Sequence, residues 1–185
     1  MDSWRIHRAI GMDSAKLLDA LLHERAAILG QRAKELHHRY FLEEADRLRP
    51  FAGAGELLRT LARHGMRVVL ATSAPKDELD VLKKVLGVDD AIAPSTSASD
   101  VESAKPDPDI VHAALAKAGA TAAGAVMVGD SVWDIQSAAR AGVPCLAVLA
   151  GGTGGRELRD AGAVAVYEDA GDLLRNLEAS PLLAR

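Results

Sequence analysis

Aromatic side chains are scarce: two Phe, two Trp and two Tyr make up 3% of 185 residues. Any core must therefore be filled by Ala, Leu and Val. Cysteine is scarcer still. Cys145, the only one, lies in an apolar strand-like segment and reads as a buried thiol of a reducing compartment rather than a nucleophile. The chain has no block of Lys or Arg, and its net charge is -4, which argues against nucleic acid as the main partner. No apolar run approaches the length of a membrane span, and the N-terminus shows no signal-peptide pattern. A soluble, cytoplasmic protein without a membrane partner is the expectation. His23, His37 and His38 lack the His-Glu-x-x-His or other paired spacing of a metal site and read as solvent-facing residues of an amphipathic helix. No internal repeat or low-complexity segment stands out.

What is present is a chain that is 49% apolar, enough for one ordinary domain with a small appendage. Residues 4–48 read as helical. Leu17, Leu18, Leu21, Leu22 and Ile28 form a stripe, Asp13 or Ser14 caps it, Gly30 marks a stop, and a second helix covers about 32–48. Pro50 breaks the pattern, and alternation begins. Helices are expected over 55–64, 76–86 and 108–118, each ending at a glycine (Gly65, Gly87, Gly119). Strands are expected over 67–71, 91–93, 125–128, 145–149 and 163–166, with a last helix from Ala170. Strands alternating with helices mean an α/β fold with a doubly wound parallel sheet. The domain division is 1–49, all helical, and 50–185.

The most informative stretch is Val126-Met127-Val128-Gly129-Asp130-Ser131-Val132-Trp133-Asp134. The short apolar run reads as a buried parallel strand, which places Asp130 just past its carboxyl end. Ser131 can cap the following helix, with Asp134 in its first turn. Ligands of open α/β sheets bind at the carboxyl ends of strands, and two carboxylates there suit Mg²⁺. They equally suit a turn cap and a helix dipole. The expected strand 67–71 ends in Thr72-Ser73-Ala74-Pro75, whose hydroxyl and N–H groups are phosphate-binding parts or the parts of an ordinary capped turn. Lys105 lies in Ala104-Lys105-Pro106-Asp107-Pro108-Asp109, where two prolines stiffen the loop before a helix. Residues 151–155 are glycine-rich but no Gly-Lys-Ser/Thr follows, so they read as a flexible connection at the rim of the site.

In that order and spacing, Thr72, the Lys105 loop and Gly129-Asp130-Ser131 with Asp134 resemble the second, third and fourth motifs of the haloacid dehalogenase-like phosphohydrolases. The helices before Pro50 resemble the helical cap of the phosphoglycolate phosphatase and β-phosphoglucomutase type. The resemblance implies a Rossmann-like core and a Mg²⁺-dependent phosphatase acting on a small phosphorylated metabolite. Under it, Thr72, Ser73, Ala74 and Lys105 would hold the phosphoryl group, and Asp130 and Asp134 the Mg²⁺. Phosphoryl transfer needs mostly positioning and charge neutralisation, which these groups supply.

The family's first motif, an Asp-x-Asp-Gly-Thr-like segment carrying the nucleophile at the end of an N-terminal strand, is missing from this sequence. Asp107-Pro108-Asp109 has the spacing but no strand before it. In the family sheet that strand lies centrally, between the strand ending at Thr72 and the one ending at Asp130. A central strand of about five residues makes on the order of ten ladder bonds at a net ~0.5–1.5 kcal/mol each, comparable with a domain's whole stability of about 5–15 kcal/mol. Three outcomes are open: the flanking strands pair directly, their exposed edges seek another strand or self-associate, or the chain is marginal. The functional alternatives are a catalytically dead phosphate- or protein-binding relic and a sugar-phosphate mutase.

Overall fold

A computed structural model describes residues 2–101 and 105–183. Ala104, in the lysine loop, lies outside the described residues. No helix among those described is long and apolar enough to cross a membrane.

The N-terminal part is helical: α1 (Ser3–Ala9), α2 (Ser14–Leu22) and α3 (Ala26–Glu43). Asp13 caps α2 by accepting from the Ala15 and Lys16 N–H groups. The expected stop at Gly30 is not there. α3 runs through it, with Gly30 buried beside Leu18 where α3 packs on α2. The break comes earlier, at His23, whose φ of 51° turns the chain between the two helices.

After Pro50 come α4 (Ala54–Arg63), α5 (Lys76–Leu86) and α6 (Asp109–Ala118). β1 (Met127–Gly129), α7 (Val132–Arg140), β2 (Cys145–Val148), α8 (Gly155–Asp160), β3 (Ala165–Tyr167) and α9 (Ala170–Arg175) follow. The strands form one parallel sheet in the order β1-β2-β3, with Val128 opposite Leu146 and Leu146 opposite Ala165. Alternation along β2 sends Cys145 and Ala147 to one face, among Ile110, Ile135, Ala138 and Leu158. Leu146 goes to the other, among Leu57, Leu61, Leu173 and Leu177. The sheet is covered on both faces, as a parallel sheet requires. Burial pushes the Cys145 thiol up to about 12, in keeping with an inert core thiol.

Two expected strands are not strands. Residues 67–71 are extended, but their neighbours at 93–96 advance three residues while they advance two: Ala93 N–H donates to Val68 C=O (2.8 Å) and Thr96 N–H to Leu70 C=O (3.0 Å). That mismatch forbids a regular ladder. Residues 89–91 form a single 3₁₀ turn where the strand over 91–93 was expected. Nor do residues 67–71 close onto β1. Between them lies a groove of about 1060 Å³.

His38 corrects a second expectation. It is half-buried between α3 and α5, with Nδ1 at 2.9 Å from Glu78 Oε1 and Nε2 at 3.2 Å from Asp77 Oδ2. The hydrogen bond to Glu78, aided by the charge of Asp77, raises its pKa. Two carboxylates facing both ring nitrogens are the partners of an imidazolium.

Candidate active site

The site is assembled at the carboxyl ends of β1 and of residues 66–72, where Thr72, Lys105, Asp130 and Asp134 all line the mouth of the groove. Its order begins at the end of β1. Ser131 caps α7 by accepting from Asp134 N–H, and the Asp134 carboxylate reaches back in a capping box. Asp134 Oδ2 accepts from Ser131 Oγ–H (2.6 Å), Ser131 N–H (3.0 Å) and Asp130 N–H (3.2 Å), while Oδ1 accepts from Lys105 Nζ at 2.7 Å. Asp134 is 3% exposed, and its lone pairs are engaged. It therefore fixes the turn and aims the Lys105 ammonium. A Cβ at Gly129 would stand 2.3 Å from Asp134 Cβ, so only glycine lets this carboxylate fold back onto the strand.

Asp130 is the open donor. Burial first, and then the negative charge of Asp134, hold its carboxyl above the usual range, against the pull of Lys105. Among the described residues no Lys, Arg or His lies within ion-pair distance of it. A half-buried carboxylate in that state fits a hard divalent cation, which takes one or two protein carboxylates and keeps several waters. Asp130 would hold Mg²⁺ directly, with Asp134 beside it. A Cβ at Gly151 would meet the Asp130 carbonyl oxygen at 2.6 Å and its carboxyl carbon at 2.7 Å. The glycine-rich loop, expected as a flexible rim, is thus a close wall for Asp130.

The Thr72 turn is held from behind by a residue that the sequence did not single out. Thr96, fully buried, accepts from Thr72 N–H at 2.8 Å and lies 2.9 Å from Thr72 C=O, to which its hydroxyl donates. Nothing in Ser95-Thr96-Ser97 distinguishes it in sequence. Thr72 Oγ1 accepts from Ala74 N–H at 3.1 Å, so the expected phosphate-binding amide of Ala74 is already spent inside its own turn. Ser73 and Ala74 do not line the groove with the other four residues.

The N-terminal part touches the Lys105 loop, the first turn of α7 and the glycine-rich loop. Asp13 N–H donates to Lys105 C=O (2.9 Å), Trp133 Nε1 donates to Arg8 C=O (3.1 Å), and His7 Nε2 stands 3.4 Å from Gly152 C=O. Lys16 pairs with Asp107, which also binds Arg140.

A family profile described as haloacid dehalogenase-like hydrolase matches residues 3–142. This chain belongs to the haloacid dehalogenase-like hydrolases. Among relatives of this family, a phosphoglycolate phosphatase of Rhodospirillum rubrum is 35% identical over 119 residues, 64% of this chain and 49% of its own length. One from Yersinia pestis is 32% identical over 149 residues, covering 77% of this chain and 63% of its own. The chain thus spans between half and two thirds of the length of these relatives. Among solved structures, a hydrolase from Pseudomonas syringae superposes with a TM-score of 0.90 at 34% identity over 97% of this chain and 84% of its own.

Proposed function

We propose that this chain carries the phosphate and Mg²⁺ site of a phosphatase of the phosphoglycolate phosphatase type, acting on a small phosphate monoester. The observation that carries the reading is the meeting of Thr72, Lys105, Asp130 and Asp134 at one groove mouth, four groups from three segments far apart in sequence. In this reading Thr72 Oγ donates to a phosphoryl oxygen, turning away from Ala74. Lys105 neutralises phosphoryl charge, held in place by Asp134. Mg²⁺ at Asp130 supplies the remaining charge neutralisation that phosphoryl transfer needs. Residues 1–49 serve as a cap that limits substrate size and excludes water; their contacts to the Lys105 loop, to Trp133 and to Gly152 support this reading. None of the four site residues is positioned as a nucleophile. Asp134 is saturated and Asp130 would hold the cation, so these 185 residues are expected to bind phosphate without hydrolysing p-nitrophenyl phosphate.

Titration of inorganic phosphate by calorimetry, with and without MgCl₂, tests this. Mg²⁺-dependent phosphate binding is expected, lost in Asp130→Asn and weakened in Lys105→Ala. Mg²⁺-dependent binding unchanged in Asp130→Asn removes that residue from the site. Robust Mg²⁺-dependent turnover by the chain itself means that a nucleophile has been overlooked.

A further inference from the structure

The lysine loop cannot be held by its own backbone. Pro106 and Pro108 have no N–H, so residues 105–108 lack half the donors that a ladder or a turn would use. Their carbonyls are nevertheless all engaged. Lys105 C=O accepts from Asp13 N–H at 2.9 Å, and Pro108 C=O accepts from the Val111 and His112 N–H groups at the start of α6. The two central carbonyls are taken by side chains of α7. Pro106 C=O accepts from the Arg140 guanidinium at 2.8 Å, and Asp107 C=O accepts from Ser137 Oγ–H at 2.7 Å. Arg140 also donates to Asp107 Oδ1 at 3.2 Å.

Together with Asp134, which accepts from Lys105 Nζ, these residues form an i, i+3, i+6 row on one helix, at steps of about 4.5 Å along its axis. Ser137 is fully buried beside Ile135 and Ala138, where alanine would suit the helix better. A serine inside a helix commonly bonds its hydroxyl back to the carbonyl four residues earlier. This one donates to the lysine loop instead.

We propose that Ser137 and Arg140 are positioning residues for Lys105. Through the Asp107 and Pro106 carbonyls they fix the loop from which the ammonium reaches the site, while Asp134 fixes the ammonium itself. Asp130 immediately precedes Ser131, the cap of the same helix. One rigid element therefore carries the Asp130 turn at its start and the restraint on Lys105 along its length. The separation of the two charged groups follows from helix geometry and not from a loop without a ladder of its own. The functional meaning of this arrangement rests on the phosphatase reading; the arrangement itself is read without phosphate.

The test is calorimetric titration of inorganic phosphate in MgCl₂ on wild type, Ser137→Ala, Arg140→Met and Arg140→Lys. Ser137→Ala and Arg140→Met should each weaken phosphate binding about threefold to tenfold, the loss expected for one hydrogen bond. Arg140→Lys, whose ammonium still donates to Pro106 C=O, should restore most of it. In a Lys105→Ala background, Ser137→Ala should change the affinity less than about twofold, because its effect passes through the ammonium. The Arg140 side chain is half exposed at the end of α7, so its variants carry the test even where Ser137→Ala does not fold. Unchanged affinity in Ser137→Ala and Arg140→Met, or an equal loss with Lys105 absent, overturns the proposal. A wild-type chain that binds no phosphate ends the phosphatase reading alone. Proton–nitrogen correlation spectra of the lysine ammonium groups, recorded without phosphate, then decide the positioning. The Lys105 signal, held by Asp134, should broaden in Arg140→Met and return in Arg140→Lys; a signal identical in all three overturns the proposal.

Discussion

Two stretches of this chain have the same apolar character and opposite outcomes. Residues 145–148 form β2, buried on both faces and bonded to β1 and β3. Residues 67–71, equally apolar between Arg67 and Ala71, are extended but irregularly paired on one edge and open on the other. The difference teaches that a strand is a property of its neighbours. Propensity extends the backbone, but a ladder needs a partner with the same residue spacing, and burial needs layers on both sides.

The comparison is most sharply broken by truncating one side chain on each half. Leu146→Ala removes a fully buried side chain of β2 and should cost about 2–5 kcal/mol in urea denaturation. Val69→Ala, facing the groove edge, should cost under about 1 kcal/mol, because its surroundings are already open. Equal costs would mean that the groove is closed in solution.

A smaller effect sharpens the view of the ordered half. Ser131→Ala deletes the cap of α7 and the hydroxyl that holds Asp134, and should lower stability by about 1 kcal/mol. It should also weaken Mg²⁺-dependent phosphate binding, since Asp134 aims Lys105. Lost stability with unchanged phosphate binding would make the turn purely structural.

The smallest effect falls on the junction of the helical part with α5. His38 titrates above its ordinary value because of Glu78, so its bond contributes fully below the unfolded pKa of about 6.5 and fades as pH rises through the folded value. The stability difference between wild type and His38→Gln should therefore shrink as pH increases from mildly acidic to alkaline. Thermal melts across that range read it; a difference that grows with pH reverses the assignment.

Much of this was legible in one dimension. The capped turn Gly129-Asp130-Ser131 with Asp134 was readable because capping and a short apolar run are local signals; α7 and α5 lie where the pattern put them, and β1 starts two residues later than expected. Thr72 and Lys105 stood out through their turn and proline context, and both line the groove. Thr96 was not, because its role is to satisfy a backbone brought to it by folding. His38 was misjudged for the same reason: a histidine on an amphipathic helix carries no sign of two carboxylates arriving from α5. Gly30 resembled a stop because a helix's own propensities make it one, whereas packing of α3 on α2 carries the helix through it.

By itself the sequence determined most helices, the three strands of the sheet, the family and the four residues at the groove mouth, since these follow from periodicity, caps and ordered motifs. Only the tertiary structure decided that Asp134 is saturated and Asp130 open, that Ala74 spends its amide on Thr72, and that residues 67–71 and β1 stand apart. Those outcomes depend on which donors and edges meet across space, and a hydrogen bond is made or left unmade only when folding brings both partners to the same place.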